Sequence, residues 1–225
     1  MIHWRIFPTR EAQAQALANA VVAGLDDALT IRPRALLAVS GGTSPQAFLS
    51  QLARLPVAWR DIAITLVDDR WVPPTHTDSN ARLVSDALLP GATGAQWLPL
   101  VDTATDAALQ VQTLNDTWTH GVPQVCVLGM GEDGHTASLF ADAPQWHDAI
   151  TTRRKFVLVQ PQRAPHLRVS WSLTALAACE RLFLQIQGPA KRKVLEAAQT
   201  EEQDNAISRL IHREGVKIDV FWSEE

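Results

Sequence analysis

The chain has 225 residues, 46% of them hydrophobic and 20% charged, with a formal net charge of -4. That composition describes one globular domain of residues 1–225 with enough apolar material to bury a core. It argues against nucleic acid, whose phosphates need clustered Lys and Arg, and against a spanning helix, since no apolar run approaches ~20 residues.

The start, "MIHWRIFPTREAQAQ", lacks a charged segment followed by an apolar one, so no signal peptide is read and a cytoplasmic location is expected. Cys126 and Cys179 fit reduced core thiols of such a protein. "WRIFPT" reads as a strand. A long helix follows, with Ala14, Leu17, Ala18, Val21, Val22, Leu25 and Leu29 on one face at 3/4 spacing. "RALLAVS" is a buried strand ending in Gly41-Gly42, and "TSPQAFLSQLARL" opens as helices do, with a capping residue and a proline in the first turn. The rhythm continues with strand "AITLVDD", helices "SNARLVSDALL" and "DAALQVQTLNDTW", and strand "QVCVLGM". Strand "KFVLVQ", helix "SLTALAA", strand "RLFLQIQ", helices "PAKRKVLEAAQ" and "DNAISRLIHR", and strand "KIDVFW" complete it.

Strands this apolar are covered on both faces, which predicts an α/β fold: a doubly wound, mostly parallel sheet flanked by helices. In such sheets ligands bind beyond the carboxyl ends of the strands, near a switch in strand order. That directs attention to Ser40-Gly41-Gly42, Asp68-Asp69-Arg70, Gly129 to His135, and Gln187-Gly188.

The stretch "VLGMGEDGHTASLF" admits several readings. As G-x-G-x-x-G it is a dinucleotide fingerprint, but Glu132 and Asp133 would repel a pyrophosphate, and strand "KFVLVQ" ends without an acid for a ribose hydroxyl. As a phosphate loop it carries His135 where a lysine belongs. A better fit is a positioned base: His135 on a glycine turn, two residues after Asp133, which orients the ring or favours its charged form. The bland alternative is that His135 caps a helix "TASLF".

The turn "SGGTSP" leads from strand to helix and offers amides and hydroxyls, with Gly41, Gly42 and Thr43 foremost, to a phosphate or sugar; an ordinary turn needing glycine is the alternative. Asp68, Asp69 and Arg70 end a buried strand, where charges are costly unless paired or used. Asp78-Ser79-Asn80 reads as a helix N-cap. Lys191 stands in the first turn of its helix, where a cation is disfavoured unless it shares an anion with the amides. Arg163, His166 and Arg168 lie near the same edge. No metal-ligand spacing and no G-x-S-x-G elbow is present.

Together "LAVSGGTSPQAFL", "VDDRWVPPTHTDSNARLV", "VLGMGEDGHTASLF" and "GPAKRKVL" resemble, in order and from about Leu36 to Leu195, the 6-phosphogluconolactonases. These belong to a wider group with the glucosamine-6-phosphate isomerases/deaminases. The deaminases look like "DGHIAFNEP" and "DEY" at the corresponding places, unlike this chain, which has no Tyr. Two departures are Asp69, where the pattern usually reads Glu, and Ala141, where it usually has proline.

The resemblance implies hydrolysis of 6-phospho-D-glucono-1,5-lactone in the pentose phosphate pathway, without metal or organic cofactor. It implies His135, Asp133 and Arg70 as catalytic, with Arg70 and the glycine-loop amides near the reacting carbonyl. Gly41, Gly42, Thr43, Asp68, Gly131, Arg168 and Lys191 would contact substrate. The small sugar-phosphate lactone is the expected partner; monomer and homodimer both stay open. The alternatives are an amino-sugar-phosphate isomerase/deaminase and a non-catalytic sugar-phosphate sensor.

Overall fold

The computed structural model describes residues 1–42 and 44–224. Strand β1 (Ile2–Phe7) leads into helix α1 (Arg10–Ile31), which starts where the Thr9 hydroxyl accepts from the Ala12 amide. Then come β2 (Ala35–Val39), α2 (Pro45–Leu52), β3 (Ile62–Leu66), β4 (Asp68–Arg70), α3 (Asn80–Ala87) and β5 (Gln96–Leu98). The middle of the chain supplies α4 (Ala107–Thr117), β6 (Val125–Leu128), α5 (Trp146–Thr151), β7 (Phe156–Val159) and β8 (Arg168–Trp171). The last part is α6 (Leu173–Ala177), β9 (Arg181–Gln187), α7 (Gly188–Thr200), α8 (Ala206–Ile211) and β10 (Ile218–Ser223).

Seven strands form one sheet in the order β1-β10-β9-β6-β2-β3-β5, with every neighbouring pair parallel. Strands β2, β3 and β6 are buried at every residue, which is why they read as unbroken apolar runs. The chain runs outward from β2 through β3 to β5, then returns to lay β6 along the other side of β2. That reversal opens a crevice beyond the carboxyl ends of β2 and β6, where the loops of interest converge.

The segment "AITLVDD" is not one strand. It divides at Val67, whose amide donates to Val39 O at 3.0 Å, while its carbonyl accepts from Trp171 N at 3.0 Å. Beyond that pivot β4 joins a second sheet, β4-β8-β7, which is antiparallel. The stretch "KFVLVQ" therefore belongs to this small sheet and not to the parallel one. Its apolar character comes from packing among Trp171, Phe156 and Trp118, with Phe156 4.6 Å from Trp171 between ring centroids. The buried Trp171 indole donates to Leu66 O and ties the two sheets together.

No helix forms at "TASLF". Thr136 and Leu139 make an isolated bridge, and Ala137 has a φ of 49°. The hydroxyls explain why: Thr136 Oγ1 donates to Gly129 O and Ser138 Oγ donates to Asp68 Oδ2, holding a tight turn in place of a helix start. The segments β5, β8 and α5, too short or too polar to give a periodic signal, were not expected from the sequence. Among the described residues no helix is long and apolar enough to cross a membrane.

Candidate active site

A cavity of about 240 Å3 lies at the switch point, walled by the ends of β2, β4, β6, β8 and β9 and the start of α7. Ser40 fixes its floor: its hydroxyl donates to Val127 O at 2.9 Å and accepts from Gly129 N at 2.9 Å, clamping the end of β2 to the end of β6. Gly41 must lack a side chain because a Cβ would overlap the Asn80 carboxamide. Gly42 has a φ of 97°, a conformation that L side chains rarely adopt. Neither amide, Gly41 or Gly42, has an acceptor among the described residues. Thr43, expected beside them, lies outside the described residues.

The glycine loop builds a dyad. Gly134 takes a φ of 78° and turns the chain so that His135 Nδ1 comes 2.5 Å from Asp133 Oδ1, while the His135 amide donates to the same oxygen at 3.2 Å. Gly131 has no room for a Cβ, which would collide with the His135 ring and the Asp133 carboxylate. The imidazole stacks on Phe140 at 4.1 Å between centroids. The hydrogen bond from His135, outweighing partial burial, holds the Asp133 carboxyl below its ordinary value near 3.8. Two amides foreseen as ligand donors are engaged inside the loop, Gly129 N on Ser40 Oγ and Gly131 N on His135 O.

The facing wall is cationic. Arg70 on β4 and Arg168 on β8 are register partners, and Lys191 sits in the first turn of α7 on the same cavity. Arg168 is 6% exposed, and burial pulls its guanidinium below its usual value. Its Nη1 donates to Ser138 Oγ at 3.3 Å and its Nη2 to Pro165 O, and the guanidinium lies 5.0 Å from the Phe140 centroid. Arg70 Nη1 donates to Asp78 O at 2.7 Å. The Asp78 carboxylate is bound by His166 Nε2 at 2.9 Å, a bond that lowers its pKa. Both arginines keep a buried Nε with no partner among the described residues. Lys191 has no hydrogen-bond or ion-pair partner among them either. The two guanidiniums repel each other, and the carboxylate of Asp68, the stronger influence on Arg168, offsets that repulsion.

The family of glucosamine-6-phosphate isomerases/6-phosphogluconolactonase matches residues 8–222. The chain belongs to this family. It is 41% identical over its whole length to the full-length 6-phosphogluconolactonase of Neisseria meningitidis, and 37% identical, over 97% of both chains, to that of Rhizobium meliloti. The crystal structure of a 6-phosphogluconolactonase from Shewanella baltica superimposes with a TM-score of 0.90 at 30% identity, covering 99% of this chain and 98% of that one. A monomeric glucosamine-6-phosphate deaminase shares the fold, with a TM-score of 0.83 at 15% identity.

Of the candidate site residues, the structure brings Gly41, Gly42, Asp68, Arg70, Gly131, His135, Arg168 and Lys191 onto one cavity, with Asp133 behind the His135 ring. Arg163 and His166 do not line it: Arg163 holds Asp142 through its amide, and His166 holds the Asp78 carboxylate. Asp69, where the family pattern usually has Glu, does not face the cavity. It is 1% exposed and accepts from the amides of Arg70, Asn80 and Ala81, anchoring α3 on β4. Burial, outweighing those three amides, pushes its carboxyl up to about 6.

Sequence reading missed Ser138, Phe140, Asn80 and Gln185. The first two sat in a supposed helix, the third looked like a cap, and the fourth like a core strand residue. Gln185 belongs to a buried carboxamide cluster: Gln13 Nε2 donates to Ile186 O and Phe221 O, and Gln13 Oε1 accepts from Gln185 and Gln187. Among the described residues no cluster of His, Cys, Asp or Glu has the makings of a metal site.

Proposed function

We propose that the protein hydrolyses 6-phospho-D-glucono-1,5-lactone to 6-phosphogluconate, the lactone-opening step of the pentose phosphate pathway. The observation that carries this reading is the His135–Asp133 contact of 2.5 Å set in the same cavity as three cationic side chains. One end of the site suits acyl chemistry and the other an anion. With Nδ1 donating to Asp133, the neutral imidazole bears its lone pair on Nε2. Nε2 takes a proton from water as that water adds to C1 of the lactone. Asp133 then stabilises the imidazolium, as a carboxylate behind a catalytic histidine does. The tetrahedral intermediate collapses with cleavage of the bond from C1 to the ring oxygen, and His135 returns its proton to that oxygen. The product acid ionises and releases one proton.

Arg168 and Lys191 bind the 6-phosphate. The register of Arg70 opposite Arg168 favours a shared anion seat over a place at the reacting carbonyl. The unengaged amides of Gly41 and Gly42 remain for the lactone oxygens. No step calls for a metal or organic cofactor.

The test is proton release from fresh 6-phosphogluconolactone, followed with a pH indicator in the presence of a chelator. A rate far above spontaneous opening is expected, with no ammonia from glucosamine 6-phosphate. Ammonia release without lactone hydrolysis would move the protein to the deaminase side of its family.

A further inference from the structure

Asn80 looks at first like a helix-capping residue, but the cap of α3 is Ser79, whose Oγ accepts from the Arg82 amide at 3.2 Å. The Asn80 side chain is therefore free of that duty. It is nonetheless almost wholly buried, 3% exposed, and stands in the wall of the cavity that holds His135 and Arg168. Three contacts fix it. The Asn80 amide donates to Asp69 Oδ1 at 2.7 Å, Nδ2 donates to Asp68 O at 2.9 Å, and the carboxamide fills the space above Gly41 that a Cβ would need. Because a carbonyl oxygen only accepts, the Asp68 contact settles which arm of the carboxamide is nitrogen. Oδ1 is then the other arm. It has no hydrogen-bond partner among the described residues.

Oδ1 is not among the fully buried unpartnered atoms, so this rigidly held acceptor stays open to a donor from the cavity that Asn80 lines. On the lactone named above neither the phosphate dianion nor the ring carbonyl carries a hydrogen; only the sugar hydroxyls do. We infer that Asn80 Oδ1 accepts a hydrogen bond from a ring hydroxyl of the substrate, making Asn80 a determinant of specificity for hydroxylated sugar lactones. This inference rests on the proposed lactone hydrolysis. A site built to bind a hydroxyl discriminates against the analogue lacking it, because the bound analogue covers the protein acceptor without pairing it. The Gly41 requirement follows from the same arrangement, since the glycine gives the carboxamide its room.

The experiment alters enzyme and substrate together. Wild type and Asn80→Ala are assayed on 6-phosphogluconolactone and on its 2-deoxy, 3-deoxy and 4-deoxy counterparts, each freshly prepared. For the parent lactone the variant is expected to lose about 10- to 100-fold in kcat/KM. For one deoxy lactone the wild type already shows that loss, and the variant loses nothing further. Equal fractional losses on every lactone would make Asn80 only a structural tie to Asp68 and overturn the inference, while leaving the proposed activity standing. Should Asn80→Ala fail to fold by circular dichroism, the wild type decides: equal kcat/KM on all four lactones overturns the inference, and a selective loss on one supports it. No hydrolysis of any lactone by the wild type would instead sink the proposed activity, and the inference with it.

Discussion

Arg70 and Arg168 stand opposite each other in the antiparallel β4–β8 pair, and each keeps a buried Nε without a partner among the described residues. Like charges in directly opposed positions destabilise a strand pair. Asp68 offsets much of that repulsion on the Arg168 side, and the unpaired Nε atoms with the free ammonium of Lys191 leave donors for a further anion.

Inorganic phosphate is therefore expected to stabilise the protein through this seat. At 100 times its Kd a ligand adds about 2.7 kcal/mol, and each kcal/mol raises Tm by about 2–4 °C in a domain of this size. Arg168→Met should lose most of that gain and should raise KM for the lactone more than it lowers kcat. Thermal melts with and without phosphate, beside initial rates, check both. A phosphate gain undiminished in the variant removes Arg168 from the seat.

His135→Ala should lower kcat by about 10²–10⁴-fold with the fold intact. It has a second, independent readout. The His135 hydrogen bond is the largest cause of the depressed Asp133 pKa, so the variant should return that carboxyl toward 3.8. Because the folded value is depressed, this interaction contributes stability above the ordinary carboxylate pKa and loses it as pH falls through the lower folded value. A carboxyl-detected NMR titration that leaves Asp133 unmoved in the variant contradicts the dyad.

Gly131→Ala places a methyl where the His135 ring and the Asp133 carboxylate now lie. Displacement of a catalytic group by about 1 Å costs on the order of 10²-fold in rate, so a loss of that size is expected in kcat. Arg168 and Lys191 are untouched, and phosphate should still raise Tm. Full turnover in this variant would show that the loop tolerates the methyl and that the dyad does not depend on the glycine.

Asp69→Asn tests the anchor of α3. The folded pKa of Asp69 is raised to about 6 from 3.8, so its linkage favours the fold at low pH, and that contribution is lost as pH rises through about 6. The difference in unfolding free energy between wild type and variant should thus slope between those two values and stay flat above them. Urea denaturation across that range measures it; a difference independent of pH would mean that Asp69 titrates as an ordinary surface carboxyl.

The sequence by itself determined the parallel sheet. Apolar runs such as Ala35–Val39 and Val125–Leu128 are buried on both faces, and a strand covered twice has no polar side to show. It also located the cavity, because glycines after β2 and β6 mark turns that the backbone can make in few other ways. The His135–Asp133 pairing was legible for a similar reason, being local, two residues apart on one turn. What the tertiary structure decided is whatever depends on partners far apart in the chain. The division of "AITLVDD" at Val67, the second sheet, and the opposition of Arg70 to Arg168 arise from pairing between segments about 100 residues apart, and such pairing leaves no periodic trace in either one. Ser138 looked like part of a helix until Asp68, 70 positions away, claimed its hydroxyl. Asn80 looked like a cap until Asp68 and Gly41 closed around it. Short-range sterics and burial are written into the order of residues, whereas the orientation of a polar side chain in a cavity wall is fixed only when its distant partners arrive.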